Sequence, residues 1–177
     1  MTDLRNKTCC FTGHRDIPER DRVQICQRAE RIIRQLYSRG VRYFGVGGAV
    51  GFDTMMAWLL MELREKDLLD IKVILVKPFE GYTSRWSNEQ RKQYEALLPL
   101  YDKVVCVSDS PGRQAYLARD RHLVKHSAFC IAYCTRTTGG TAYTVEYARQ
   151  QELTIYNVAK TGPVNSSLAG LRVLVKE

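Results

Sequence analysis

Residues 41–63 read VRYFGVGGAVGFDTMMAWLLMEL. Tyr43, Phe44 and Val46 form the apolar run of a buried strand. Gly47, Gly48 and Gly51 remove Cβ atoms where the chain turns sharply and where a ligand could approach the backbone. A helix follows at once. Phe52, Met55, Met56, Leu59, Leu60 and Leu63 recur at helical spacing and give it one apolar face. A glycine turn from strand to helix presents free N–H groups and the positive end of a helix dipole, which suits an anion such as phosphate. The same turn also serves purely structural ends, and both readings stand. On the ligand reading, a branched side chain at Gly48 blocks binding and leaves the fold intact.

Working outward, the same strand–helix alternation recurs. Residues 8–12 (TCCFT) form a first strand, closed by Thr12-Gly13-His14-Arg15 with two potential anion donors. Asp16, Pro18 and Glu19 resemble a helix start, and Val23, Cys26, Ala29, Ile32, Ile33 and Leu36 give its apolar face, ending near Gly40. Strands are expected at 71–76, 103–108, 128–133 and 153–157, and helices at about 87–98, 114–125 and 139–151. Strands apolar on both faces and alternating with helices imply a mainly parallel sheet covered on both sides. The expected class is α/β, a Rossmann-like three-layer fold. Residues 1–160 read as one domain and 161–177 as a C-terminal extension, in which LRVLV (171–175) adds a short strand.

The chain has 177 residues, enough for a full core in one domain. It is 45% hydrophobic and 26% charged, a globular mix. No apolar run approaches the roughly 20 residues a membrane span needs, and the N-terminal MTDLRNK has no signal-peptide core. The expectation is a cytoplasmic protein with no membrane partner. The net charge of +8 favours anionic partners without separating nucleotides from nucleic acid. Six cysteines occur without CxxC spacing, so they read as reduced thiols, with Cys106 and Cys130 in core strands and Cys9 and Cys10 on opposite strand faces. His122 and His126 are four apart but lack an obvious third ligand, and no metal or cofactor is expected.

In an open doubly wound sheet, ligands bind at the carboxyl ends of the strands. Three glycine turns map there: Gly13, Gly47-Gly48-Gly51 and Gly139-Gly140, the last followed by Thr141. They are neither a dinucleotide GxGxxG fingerprint nor a Walker loop. Arg119 and Arg121, two apart before the fifth strand, read as phosphate forks or as exposed charges. Asp53 and Glu146 lie early in helices; each reads as a dipole complement or as a partner for sugar hydroxyls, with acid–base work open to Glu146. Arg85 and Trp86 lie in a loop after the third strand and read as a base-stacking pair or as surface groups.

TGHR after the first strand, GGAVGFD after the second, and ARDRHLVKHSAFCIAY…TGGTAYTVEYA later resemble the SLOG superfamily, and within it the YpsA-like branch. The resemblance covers about residues 7–157. It implies a Rossmann-like fold that binds or senses a nucleotide or nucleotide-derived ligand. The same superfamily includes the LOG phosphoribohydrolases, whose pattern is an arginine ahead of a strand and then PGGxGTxxE. Arg119, Gly139, Gly140 and Glu146 fall in register with it, which implies catalytic roles for Arg119 and Glu146 if the chain is an enzyme. Thr138 replaces the proline, Ala142 and Tyr143 replace the following Gly-Thr, and Ala128 stands where such families often place an aspartate. Ligand binding therefore ranks ahead of N-glycosidic hydrolysis. The DNA-processing relative DprA keeps single-stranded DNA among the expected partners, and a homo-oligomer is also compatible.

Overall fold

A computed structural model describes residues 3–159; the strand expected at 171–175 lies outside them. Six parallel strands form one sheet in the order β4-β3-β2-β1-β5-β6. They are β1 (Thr8–Gly13), β2 (Tyr43–Val46), β3 (Lys72–Lys77), β4 (Lys103–Cys106), β5 (Phe129–Tyr133) and β6 (Thr154–Asn157). Between them lie α1 (Arg22–Ser38), α2 (Phe52–Lys66), α3 (Asn88–Leu97), α4 (Arg113–Lys125) and α5 (Gly140–Gln150). The chain winds outward from β1 to β4, then returns through α4 to place β5 on the other side of β1. The fold is the expected α/β three-layer, Rossmann-like one, and its sheet is wholly parallel. The strand order reverses between β1 and β5, and that switch point opens a crevice at their carboxyl ends.

Two cores flank the sheet. Cys9, Phe11 and Phe44 point toward α1 and α2; Cys10, Cys130 and Ala132 point toward α4 and α5. The neighbours Cys9 and Cys10 thus lie on opposite faces, both fully buried, as the pleat requires. On α2, all six residues of the expected apolar face are buried. Ser87 starts α3 with a capping box, its hydroxyl accepting from the Gln90 amide at 3.2 Å.

Three local expectations need correction. Helix α1 does not begin at Asp16: a 3₁₀ turn over Glu19–Asp21 intervenes, and Asp16 instead pairs with Arg136 at 2.7 Å. Ala29, Ile32, Ile33 and Leu36 are buried as expected, but Val23 lies off their stripe and is 68% exposed, while Ile25 lies on it and is buried. Cys106 is exposed, because β4 is the edge strand and its outer positions are uncovered.

The register of α1 has a measurable consequence. Ile25→Ala should lower the unfolding free energy by about 2–4 kcal/mol, the usual cost of emptying a core site. Val23→Ala should change it by less than about 0.5 kcal/mol, as exposed sites do. Denaturant titration of both variants checks which of the two lies on the buried face of α1; a larger loss at Val23 than at Ile25 would contradict the assignment.

Candidate functional site

Every loop leaving a strand's carboxyl end on the β3–β2–β1–β5 stretch contributes to one cleft of about 1570 Å³. Its walls come from Gly13 to Asp16 after β1, Ala49 and Asp53 after β2, the loop from Phe79 to Trp86 after β3, the start of α4, and Arg136 to Glu146 after β5.

The floor is an ionic knot. Arg119 points inward from α4 and is 7% exposed. Its Nη1 donates to the Gly47 carbonyl at 2.6 Å, and its Nε to Asp120 at 2.7 Å. Gly47 is needed here: a Cβ would lie 3.0 Å from both the Arg119 side chain and the Asp53 carboxylate. Asp53 Oδ2 accepts from the Ala49 amide at 3.2 Å, whereas Oδ1 is buried without a partner among the described residues. Burial pushes the Asp53 carboxyl up to about 6, and the positive charge of Arg119 opposes the shift.

The two glycine turns do different jobs. The α2 turn is filled by its own chain. The Phe52 amide donates to the His14 carbonyl at 3.1 Å, a Cβ on Gly51 would overlap the Arg15 backbone, and one on Gly48 would overlap the Tyr82 hydroxyl. Gly48 and Gly51 also have φ of +70° and +82°, so Gly48→Val would disturb packing as well as anything bound. None of the three glycines lines the cleft, although Ala49 and Asp53 beside them do. The α5 turn is open. Gly139 caps the helix without any side-chain hydrogen bond, and a Cβ on Gly139 or Gly140 would meet nothing within 4 Å. The first amides of α5 therefore face the cleft with their dipole unopposed by a capping side chain.

The open turn is held from behind. Asn157 bridges both backbone groups of Cys134, at 2.9 and 3.1 Å. The Thr135 amide donates to His14 Nε2 at 2.8 Å, which requires that nitrogen unprotonated; burial holds the His14 pKa below its ordinary value. Arg136 pairs with Asp16.

The structure brings Gly13, His14, Arg15, Asp53, Arg85, Trp86, Arg119, Gly139, Gly140, Thr141 and Glu146 to the cleft. Arg121 lies off it and donates to the Tyr143 hydroxyl at 2.9 Å. Glu146 is exposed at the rim, gripped by both Arg149 nitrogens at 2.6 and 2.9 Å, and that pairing holds its carboxyl below the ordinary value. Asp120, Phe79, Tyr82 and Tyr116 are site residues that the motif reading passed over. Tyr116 lies three before Arg119, on the same helix face, and Phe79 sits just past the end of β3, so helical spacing and the strand-end rule were the available signals.

A family model described as the YspA SLOG family matches residues 11–160. A prophage-derived protein of Bacillus subtilis, YoqJ, is 26% identical over 137 residues, covering 69% of this chain and 78% of its own. A UPF0398 protein of Shouchella clausii is 25% identical over 123 residues, covering 68% and 65%. Among solved structures, DNA processing protein A of Helicobacter pylori, described for its single-stranded DNA binding mode, superposes with a TM-score of 0.61 at 15% identity, over 91% of this chain and 68% of its own. The Streptococcus pneumoniae DprA gives 0.60 at 15%, over 94% and 54%. The chain thus spans just under two thirds of the Shouchella relative and about half of the pneumococcal one.

The knot has a cost that pH should reveal. The Asp53 carboxyl is raised from 3.8 to about 6, so the folded state holds its proton more tightly than the unfolded state. Its stability contribution is full below pH 3.8 and is lost as pH rises through about 6. Asp53→Asn should therefore stabilise the protein at pH 8 by about 1–3 kcal/mol. The gain should fall to roughly half at pH 5. Thermal unfolding at the two pH values checks this; a variant no more stable than the parent at pH 8 contradicts it.

Proposed function

The chain belongs to the YspA SLOG family, and from that premise we propose that it binds a nucleotide or a nucleotide-derived small molecule in this cleft. One juxtaposition carries the reading: the uncovered N-terminus of α5 opens on the same cleft as the orphaned Asp53 Oδ1. The first suits a phosphate, and the second suits a hydroxyl donor such as ribose. Arg119 adds charge from the floor, and its Nη2 makes no hydrogen bond among the described residues. A buried carboxylate oxygen with no partner is unfavourable, and sites that bind commonly keep such a cost.

Recognition or sensing is favoured over turnover because Glu146 is exposed and salt-bridged, and its Arg149 partner holds the carboxyl below its ordinary value, away from that of an acid catalyst. The phosphoribohydrolase reading keeps one supporting observation, the Asp53 carboxyl at about 6 inside the cleft. Single-stranded DNA is the third reading. It draws on Arg15, Arg85 and Arg113 along the cleft and on the DNA-binding neighbour, and it requires affinity that falls steeply with salt. The six unpaired cysteines suit a reducing, cytoplasmic setting. We take residues 1–160 as the binding domain.

Gly140→Asp isolates the phosphate subsite. The position is open and its φ is not positive, and a carboxylate in a helix's first turn stabilises it. Ribose 5-phosphate should bind the parent, and Gly140→Asp should weaken it roughly tenfold or more without lowering the melting temperature. Calorimetric titration checks this; unchanged affinity would move the phosphate elsewhere. Release of free base from nucleoside monophosphates by the parent would promote the hydrolase reading.

A further inference from the structure

The β3 side of the cleft is built from aromatic rings. Tyr82 is the buried hub: its hydroxyl donates to the Gly48 carbonyl at 2.9 Å. It meets Phe79, Trp86 and Tyr94 edge-on, at centroid distances of 6.3, 5.4 and 5.6 Å. Phe79 in turn meets Tyr116 of α4 at 5.6 Å and 84°. Phe79 and Tyr116 are both half-buried and both line the cleft. Two rings at nearly a right angle make a corner with a flat apolar side and an edge. Anchored through Tyr82, the corner is pre-organised, so filling it orders little.

Above Tyr116 stands the Arg15 guanidinium, 5.9 Å from the ring centroid. The contrast with Arg42 is informative, because Arg42 closes on Tyr37 at 3.8 Å. A flat ring in contact on both faces needs roughly 7 Å, two contact distances of about 3.5 Å each. Arg15 therefore stands off by most of that gap. It is exposed and makes no ion pair among the described residues, so its long side chain is free to swing through the remainder. Arg119, fixed by Gly47 and Asp120, lies 5.7 Å from the same ring and adds to the positive field around it.

We propose that Tyr116, Phe79 and Arg15 form a stacking slot for a planar heteroaromatic ring, the nucleobase of the ligand. The identification of that ring as a nucleobase rests on the nucleotide reading above; the slot itself does not. Stacking between an aromatic side chain and a guanidinium accepts any base, so the slot selects for a ring and discriminates weakly among bases.

The test uses half-ligands. The four common ribonucleosides probe the slot, ribose 5-phosphate probes the phosphate subsite, and the corresponding monophosphates probe both, each titrated calorimetrically. Tyr116→Leu should weaken the monophosphates about tenfold or more and leave ribose 5-phosphate unchanged. Tyr116→Phe should keep nearly full affinity for both. An equal loss for ribose 5-phosphate, or no loss for the monophosphates, overturns the slot. Nucleosides that bind through Tyr116 while ribose 5-phosphate does not bind would remove the phosphate reading and leave the slot standing. Ribose 5-phosphate that binds as tightly as every monophosphate would do the reverse. Absence of binding by all of these probes overturns both.

Discussion

A buried arginine reaching from one helix to the turn before another governs this structure. Arg119 leaves α4, which packs over β1 and β3, and ends on the Gly47 carbonyl beyond β2. Removing a charge from water is expensive unless it is paired and hydrogen-bonded. Asp120 and the Gly47 carbonyl pair with Nε and Nη1 of Arg119, and Asp53 adds a further negative charge nearby. The contact ties α4, on one face of the sheet, to the turn that leads into α2, on the other face. Breaking such a pair costs about 3–5 kcal/mol because the surviving charges stay buried, so an Arg119 truncation would loosen the cleft's floor along with any ligand contact.

The knot also explains an asymmetry between the two glycine turns. Beyond β2, the turn is consumed by packing: the loop after β1 covers the start of α2, and Tyr82 covers Gly48. Beyond β5, no described residue covers the start of α5. Two helix N-termini of similar sequence thus differ in availability because of which neighbours fold over them. The satisfied turn holds the floor, and the unsatisfied one lines the same cleft as Asp53, whose Oδ1 has no partner among the described residues.

Much of the fold was legible because its signals are local. Apolar runs marked the strands, 3.6-residue spacing marked α2, and Ser87 marked the start of α3. The failures differ in cause. Val23 lies off the stripe that Ile25, Ala29, Ile32, Ile33 and Leu36 form at helical spacing, a local matter, whereas Cys106 is exposed because strand order makes β4 an edge. In the site, glycines and isolated charges drew attention, since they are rare and interpretable at short range. Asp120, Tyr82 and Tyr116 did not, since an aspartate among arginines, a loop tyrosine and a helix tyrosine are ordinary until the sheet brings them together. No reading of residues 47–51 alone reveals that the Arg15 backbone and Tyr82 occupy the space over them.

On the proposed function, the ligand's anionic end sits on the open turn of α5 and its hydroxyl-bearing part faces Asp53. Amide-resolved ¹H–¹⁵N correlation spectra of the labelled protein, recorded while a nucleoside monophosphate is added, test this most directly. The account predicts the largest, saturable shifts at the amides of Gly140, Thr141 and Ala49, with little change along β4 and α3. Saturable shifts confined to the β4 edge, or spectra unchanged at millimolar nucleotide, would contradict it.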